Sequence, residues 1–390
     1  MGKKKRNKLS NKSTLPEEIW GEILARLPIK PILRFRRVSR LWRSLIDDPQ
    51  FTSMHLKTLK DRQESRLLVL EQHVTCTTKQ LCTIRRADTF RQMSKHKFSV
   101  GYYTDYEATG YINGVLCLKK YMKDYKELAK IFLWNPSLKK AFDVRLPQLA
   151  ESIGNFDIDC AFGYDPIKKD YKIVASLHAQ DEVDFPKRVE IYTFSDNYWE
   201  RVTLKKGPCF WDKEAPKSYL DGVIYWMGID PNKTTTKGKF PHLVSFHVGN
   251  EVFNYIELPN CDIIDTQSHE RFPSILDKCI ALVDIFPDYT NIWVMRGSSW
   301  SKQYTFNLQL YENCFYLRSD GNLLFGGEKG GAFSYNLRSQ EKKLLAKSYM
   351  KPPIFTSDYV ESFELRVDGY EDQVVFSFPL EELNVINIER

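Results

Sequence analysis

Near residue 60 the apolar residues of this chain change their spacing, from one that suits a helix to one that suits a strand. Over residues 13–55 they recur as helical stripes. Beyond that point short runs of Val, Ile, Tyr, Phe and Trp alternate with Gly, Asn, Asp and Pro turns. The expected fold is therefore α+β and multidomain, with a small helical unit followed by a large all-β domain. A unit of roughly 40 residues buries too little surface to stand alone. Yet this one is dense in Leu, Ile, Val, Trp and Phe. It must lie against the rest of the chain or be covered by another protein.

The helical unit carries its own punctuation. Thr14 and Glu17 are spaced as a capping box, with Pro16 placed to open the helix and Glu17 and Glu18 at its positive end. Ile19, Trp20, Ile23, Leu24 and Leu27 form the stripe, and Pro28 ends it. Pro31 is expected to open a second helix bearing Ile32, Leu33 and Phe35. Ser39 is expected to cap a third, with Trp42, Leu45 and Ile46 on one side. Asp47-Asp48-Pro49 reads as its end, and Phe51 and His55 as an exit segment.

The β region repeats loosely. A strand ending near an aromatic, a polar turn and a further strand recur around Trp134, Phe194, Phe246, Val294 and Tyr335, at steps of 60, 52, 48 and 41 residues. Spacings near 40–50 are those of propeller blades. A four-stranded blade cannot cover both of its faces, so several must close a ring. The length available predicts about six blades; a pair of β-sandwiches is the competing architecture.

Charge and cysteine usage narrow the function. Residues 1–12 hold Lys3, Lys4, Lys5, Arg6, Lys8 and Lys12 and no acid. Without them the 57 basic side chains fall to 51, against 50 acidic. A nucleic-acid-binding domain keeps its basic excess on the folded surface, so nucleic acid is not the expected partner. The tail reads either as a solvated start or as a nuclear-import signal. Met1-Gly2 is a poor myristoylation signal, because Arg6 stands where Ser or Thr is wanted. No long apolar run predicts a membrane span, and no apolar stretch follows the N-terminal charges. Eight cysteines, none in a C-x-x-C pair, are expected to be reduced. Cytoplasm or nucleus is the expected location.

The strings Leu15-Pro16-Glu17-Glu18-Ile19, Ile23-Leu24-Ala25-Arg26-Leu27-Pro28, Leu33-Arg34-Phe35-Arg36-Arg37-Val38-Ser39 and Trp42-Arg43-Ser44-Leu45-Ile46, in order and at the usual spacing, closely resemble an F-box. Ser39 departs from the Cys of many members. The resemblance implies three helices docking on a Skp-type adaptor and, through it, a cullin-RING ubiquitin ligase of the SCF type. Carried over, Leu15, Pro16, Ile19, Ile23, Leu24, Leu27, Pro28, Leu33, Val38, Trp42, Leu45 and Ile46 form the adaptor face and the motif's own small core. Downstream, Ile112-Asn113-Gly114-Val115-Leu116-Cys117, Leu133-Trp134-Asn135-Pro136-Ser137, Phe162-Gly163-Tyr164-Asp165-Pro166 and Gly222-Val223-Ile224-Tyr225-Trp226 resemble the plant F-box-associated domain, described as kelch-like. The paired glycines of true kelch blades have one clear candidate, Gly326-Gly327. The expected organisation is a basic disordered tail over 1–12, an F-box over 13–55 and a propeller-like substrate-recognition domain over 56–390.

Chemistry is sparse. There is no phosphate-binding glycine loop, nucleophile elbow or H-E-x-x-H motif. No catalytic residue, metal or cofactor is expected. The long polar segments 119–130, 178–188, 204–218 and 228–241 are candidate recognition loops, and Phe210, Trp211 and Asp212 are the target-binding candidates, aromatics on loops being good anchors. The expected function is the substrate-recognition subunit of an SCF ligase, holding a protein target for ubiquitination and degradation. A non-degradative interaction protein and a propeller enzyme are the rivals.

Overall fold

The computed structural model describes residues 15–60, 65–72, 79–99, 104–122, 127–147, 156–179, 188–203, 209–210, 216–235, 238–259, 270–307, 313–326, 331–347 and 353–365. The expected Thr14 cap and the basic tail lie outside them. Four helices come first: α1 (Glu17–Ala25), α2 (Ile29–Phe35), α3 (Arg40–Asp47) and α4 (Pro49–Lys60). Three were expected. The fourth takes the place of the exit segment and runs past residue 55, where the domain boundary was drawn. Pro49 stands at its first position, where a missing N–H costs nothing, and Asp48 accepts the Gln50 N–H at 2.8 Å. Pro16 precedes α1 rather than opening it, and α2 begins at Ile29, two residues before Pro31. Ser39 caps α3 as expected, accepting the Trp42 N–H at 3.1 Å.

The strands form six antiparallel sheets among the described residues. The first holds β1 (Arg66–Gln72), β2 (Lys79–Arg86) and β3 (Gln92–Ser99). The second holds β4 (Thr104–Ile112), β5 (Val115–Met122), β6 (Glu127–Asn135) and β7 (Lys140–Val144). The third holds β8 (Phe156–Asp165), β9 (Asp170–Ala179), β10 (Arg188–Thr193) and β11 (Tyr198–Thr203). In the fourth, β12 (Cys209–Phe210) and β13 (Ser218–Leu220) both pair with β14 (Val223–Thr235), followed by β15 (Gly238–His247) and β16 (Val252–Ile256). The fifth holds β17 (Glu270–Leu276), β18 (Cys279–Ile285), β19 (Thr290–Arg296) and β20 (Ser299–Phe306). The sixth holds β21 (Asn313–Leu317), β22 (Asn322–Gly326), β23 (Ala332–Asn336) and β24 (Lys342–Ala346). A last strand, β25 (Phe355–Tyr359), returns to the first sheet and pairs with β1 from Leu70↔Phe355 to Arg66↔Tyr359.

Neighbouring sheets meet through their inner strands: β4 with β8, β8 with β14, β14 with β17, β17 with β21, β21 with β25 and β25 with β4. The circuit is closed, and the fold is a six-bladed propeller with both ends of the domain joined in blade one. Burial explains the sequence runs. Val115 and Cys117 pack toward blade three with Ile131 and Leu133, while Leu116 and Leu118 pack toward blade one with Phe132 and Trp134. Strands covered on both faces read as unbroken apolar runs; an open sandwich would show alternation. Trp134, Phe246, Val294 and Tyr335 all lie in the third strand of their blades, and Phe194 directly follows one. The recurrence seen in sequence is the recurrence of that strand.

Two expected loops are largely strand. Within 119–130, residues up to Met122 and from Glu127 onward belong to β5 and β6. Within 228–241 the chain continues as β14 and β15, paired out to Thr235↔Gly238.

Candidate adaptor face and target face

Strands alternate in direction, so the first-to-second and third-to-fourth turns of each blade emerge on one face of the ring. These turns are tight. Asn113-Gly114, Asp221-Gly222 and Asp277-Lys278 are two-residue connections with positive φ at both positions, the conformation that matches strand twist. The helices sit on this face. Lys60 Nζ donates to Asn113 Oδ1 at 3.1 Å, and Leu138, in the turn after β6, packs into the helical core.

That core contains Leu24, Ala25, Ile29, Ile32, Ile46 and Phe51, and one residue from far along the chain, Phe363. The Phe363 ring lies 4.9 Å from His55 and 6.0 Å from Phe51, centroid to centroid. His55 Nε2 is 3.0 Å from the Leu27 carbonyl oxygen. The stripe of α1 is thereby split. Leu24 is 2% exposed; Ile19 and Ile23, on the turns around it, keep 40% and 38% of their surface. Leu15 and Val38 are exposed at 46% and 66%, and Pro16 and Pro28 are exposed as well. Leu27, Leu33, Trp42 and Leu45 are half-buried, and Ile46 is sealed. The twelve residues expected to make the adaptor face and the motif's core thus divide. Leu15, Pro16, Ile19, Ile23, Pro28 and Val38 look outward, whereas Leu24 and Ile46 are core. Leu41, not picked out from the sequence, joins the outward set.

Electrostatics hold the module's shape. Arg36 makes a two-pronged contact with Asp47, Nε to Oδ1 at 2.7 Å and Nη2 to Oδ2 at 2.9 Å, tying the end of α2 to the end of α3. Trp42 packs between Trp20 and Phe35 at 5.5 and 5.1 Å.

The opposite face carries the remaining connections, among them the longest between strands. Of the three target-binding candidates, Phe210 lies in β12, its backbone paired with Gly228 on that far side of blade four; its side chain, with Trp211 and Asp212, lies outside the described residues. Among the described residues no group of three or more His, Cys, Asp or Glu could hold a metal ion, and no helix is long and apolar enough to cross a membrane. Cys82, Cys117 and Cys160 are free and buried, and burial raises all three thiols.

Residues 13–54 match the F-box domain, and residues 56–320 match the F-box associated beta propeller domain. The sixth blade and the closing strand run beyond that second match. An F-box/kelch-repeat protein of Arabidopsis thaliana is 27% identical over 300 residues, covering 74% of this chain and 78% of its own. A second Arabidopsis thaliana F-box protein is 24% identical over 293 residues, covering 75% and 69%. Among solved structures, the Dos1 propeller aligns at 8% identity with a TM-score of 0.37, over 74% of this chain and 86% of that one.

Proposed function

Because the chain belongs to the F-box proteins that carry an F-box associated β-propeller, we propose that it is the substrate-recognition subunit of an SCF-type ubiquitin ligase. The helices dock on a Skp-type adaptor and so on a cullin, and the propeller holds a protein target for ubiquitination and degradation. The single observation that carries this reading is the unburied half of the α1 stripe. Leu15, Ile19 and Ile23 stay open although the module has a complete core beneath them. An apolar patch of this kind on a folded unit marks a protein contact.

The proposed mechanism is proximity. The adaptor fixes the chain to a complex that bears the conjugating enzyme, and the propeller raises the concentration of target beside it. Its own side chains supply no nucleophile in this scheme. The target is taken on the face away from the helices, where the longer connections emerge, and Phe210, Trp211 and Asp212 are the proposed anchors.

The test is co-purification of adaptor and cullin with the full chain and with Ile23→Asp, followed by target turnover in cells lacking residues 13–51. Loss of the adaptor in the variant and accumulation of one propeller-bound protein in the deletion would support the reading. Retention of the adaptor by a folded Ile23→Asp chain would refute it.

A further inference from the structure

Directly after the closing strand, residues 360–365 leave blade one and cross the hairpin face of blade two. Their course is held by groups that the turn chemistry of blade two supplies. Asn135 is buried, and its two ends do different work. Its Oδ1 accepts the N–H groups of Ser137 at 2.8 Å and Leu138 at 3.2 Å, forming the turn. Its Nδ2 donates to the carbonyls of Ser362 at 2.9 Å and Glu364 at 2.8 Å. Asp165 builds the β8–β9 turn of blade three in the same manner, accepting from Ile167 and Lys168, but a carboxylate has no donor to give to a crossing chain. Tyr111 Oη donates to the Val360 carbonyl at 2.8 Å, and Ser137 Oγ lies 2.9 Å from Tyr359 Oη.

From this anchored segment two side chains reach into the helical module. Phe363 fills its core. Glu361 accepts the Ile29 N–H at the start of α2 at 3.1 Å with one oxygen and pairs with Arg66 of β1 at 3.0 Å with the other. One carboxylate thus joins the helices to the first blade, and one ring joins the last segment to the helices.

We infer that residues 360–365 are a clasp, and that Phe363, Glu361 and Asn135 are positioning residues which fix the orientation of the adaptor-docking module on the propeller. Modules joined only by a linker move relative to each other by default. A receptor that works by proximity needs the distance between adaptor and target to be set. The clasp sets it from the segment that directly follows the ring-closing strand. This inference rests on the ligase reading for its purpose, but not for its geometry.

The experiment uses the full chain, with spin labels on noncanonical residues at the exposed positions Glu18 in α1 and Ser298 in the β19–β20 turn. Pulsed dipolar spectroscopy reads the distance distribution between them. The wild type should give one narrow distance. Phe363→Ala should broaden it about twofold or more, and Phe363→Leu should restore it. Asn135→Asp keeps the turn acceptor but sets an acceptor against two carbonyls; it should broaden the distribution without touching the helices. A folded Asn135→Asp or Phe363→Ala chain with the wild-type distribution overturns the clasp. In reconstituted ligase, adaptor affinity of Asn135→Asp should stay within about threefold while ubiquitin transfer to the bound target falls. An equal fall in both would make these residues mere supports of the module's fold, and would also overturn the inference. Failure of the wild type to bind any adaptor would count against the ligase reading alone, because the distance measurement needs no partner.

Discussion

A methyl group on Gly114 would lie 2.1 Å from the Cβ of Ser362. The hairpin glycine of blade two is therefore required twice, once by its φ of +86° and once by the segment that passes over it. Gly297 has a φ of +63° but nothing within 4 Å of such a methyl group, so it isolates the first requirement. Gly297→Ala should cost about 1 kcal/mol, and Gly114→Ala about 2–4 kcal/mol as overpacking is added. Urea denaturation of both variants checks the difference. Equal losses would mean that the crossing segment yields freely.

Neighbouring positions on α1 should fail in different ways. Ile23 is open and Leu24 is core. Ile23→Asp should leave the melting temperature nearly unchanged and remove adaptor binding, since it sets a charge within an apolar contact. Leu24→Asp should unfold the module outright, at a cost of about 3–5 kcal/mol. Circular dichroism alongside a pull-down separates the two. Exchange of these phenotypes would place the docking surface on the other side of the helix.

That division marks how far the sequence could be read. The helical stripe, the Ser39 cap and the propeller period were legible because each is local: a spacing, a cap, or a strand covered on both faces. Which half of the stripe faces inward depends on how α1 packs against α3 and α4 and on a core shared with Phe363, which no local pattern connects to α1. The fourth helix was missed because Asp47-Asp48-Pro49 ends one helix and starts the next with the same residues; Asp before Pro is also a start signal. Blade one shows no recurrence because its third strand, Lys79–Arg86, carries no aromatic residue; its first strand comes from the far end of the domain, and Phe355-Thr356-Ser357-Asp358-Tyr359 has no apolar run to betray it. Asn135 was legible as a turn residue, but the donor half of its amide has meaning only once residues 362 and 364 are beside it.

Ring closure should depend on Arg318. Its Nε donates to Asp358 Oδ1 on β25 at 2.9 Å, its Nη1 pairs with Asp320 at 2.9 Å, and its Nη2 donates to Ser65 Oγ just before β1. One guanidinium thus ties blade six to both strands that complete blade one. Arg318→Met leaves the half-buried Asp358 carboxylate, which Tyr316 also holds, without its cation and should cost about 1–2 kcal/mol. It should also expose the β1–β25 pair to hydrogen exchange before the other blades. A loss below about 0.5 kcal/mol would class the contact with ordinary surface pairs.

Stability should fall as pH rises from about 4.5 to about 7, and Glu364 should be the cause. Burial raises its carboxyl from 4.5 to about 7, against the opposing pull of Lys169, the nearby Tyr171 hydroxyl and Lys60. Between those values the folded chain holds a proton that the unfolded chain has lost, so each step up in pH favours unfolding until the folded group ionises as well. His96 has the opposite sign. Burial first, then Lys139 and Lys30, lower it from 6.5 to about 4, and its ring packs edge-on against Trp134 at 5.3 Å. Its contribution is complete above 6.5 and is lost as pH falls toward 4. The two slopes oppose each other where the windows overlap, and above 6.5 Glu364 acts alone. Thermal melts of His96→Gln, which removes the His96 contribution, should therefore show a loss of about 2 kcal/mol between roughly pH 5.5 and 8. Glu364→Gln in the same background should flatten that slope. A slope that survives Glu364→Gln would assign the effect to another buried group.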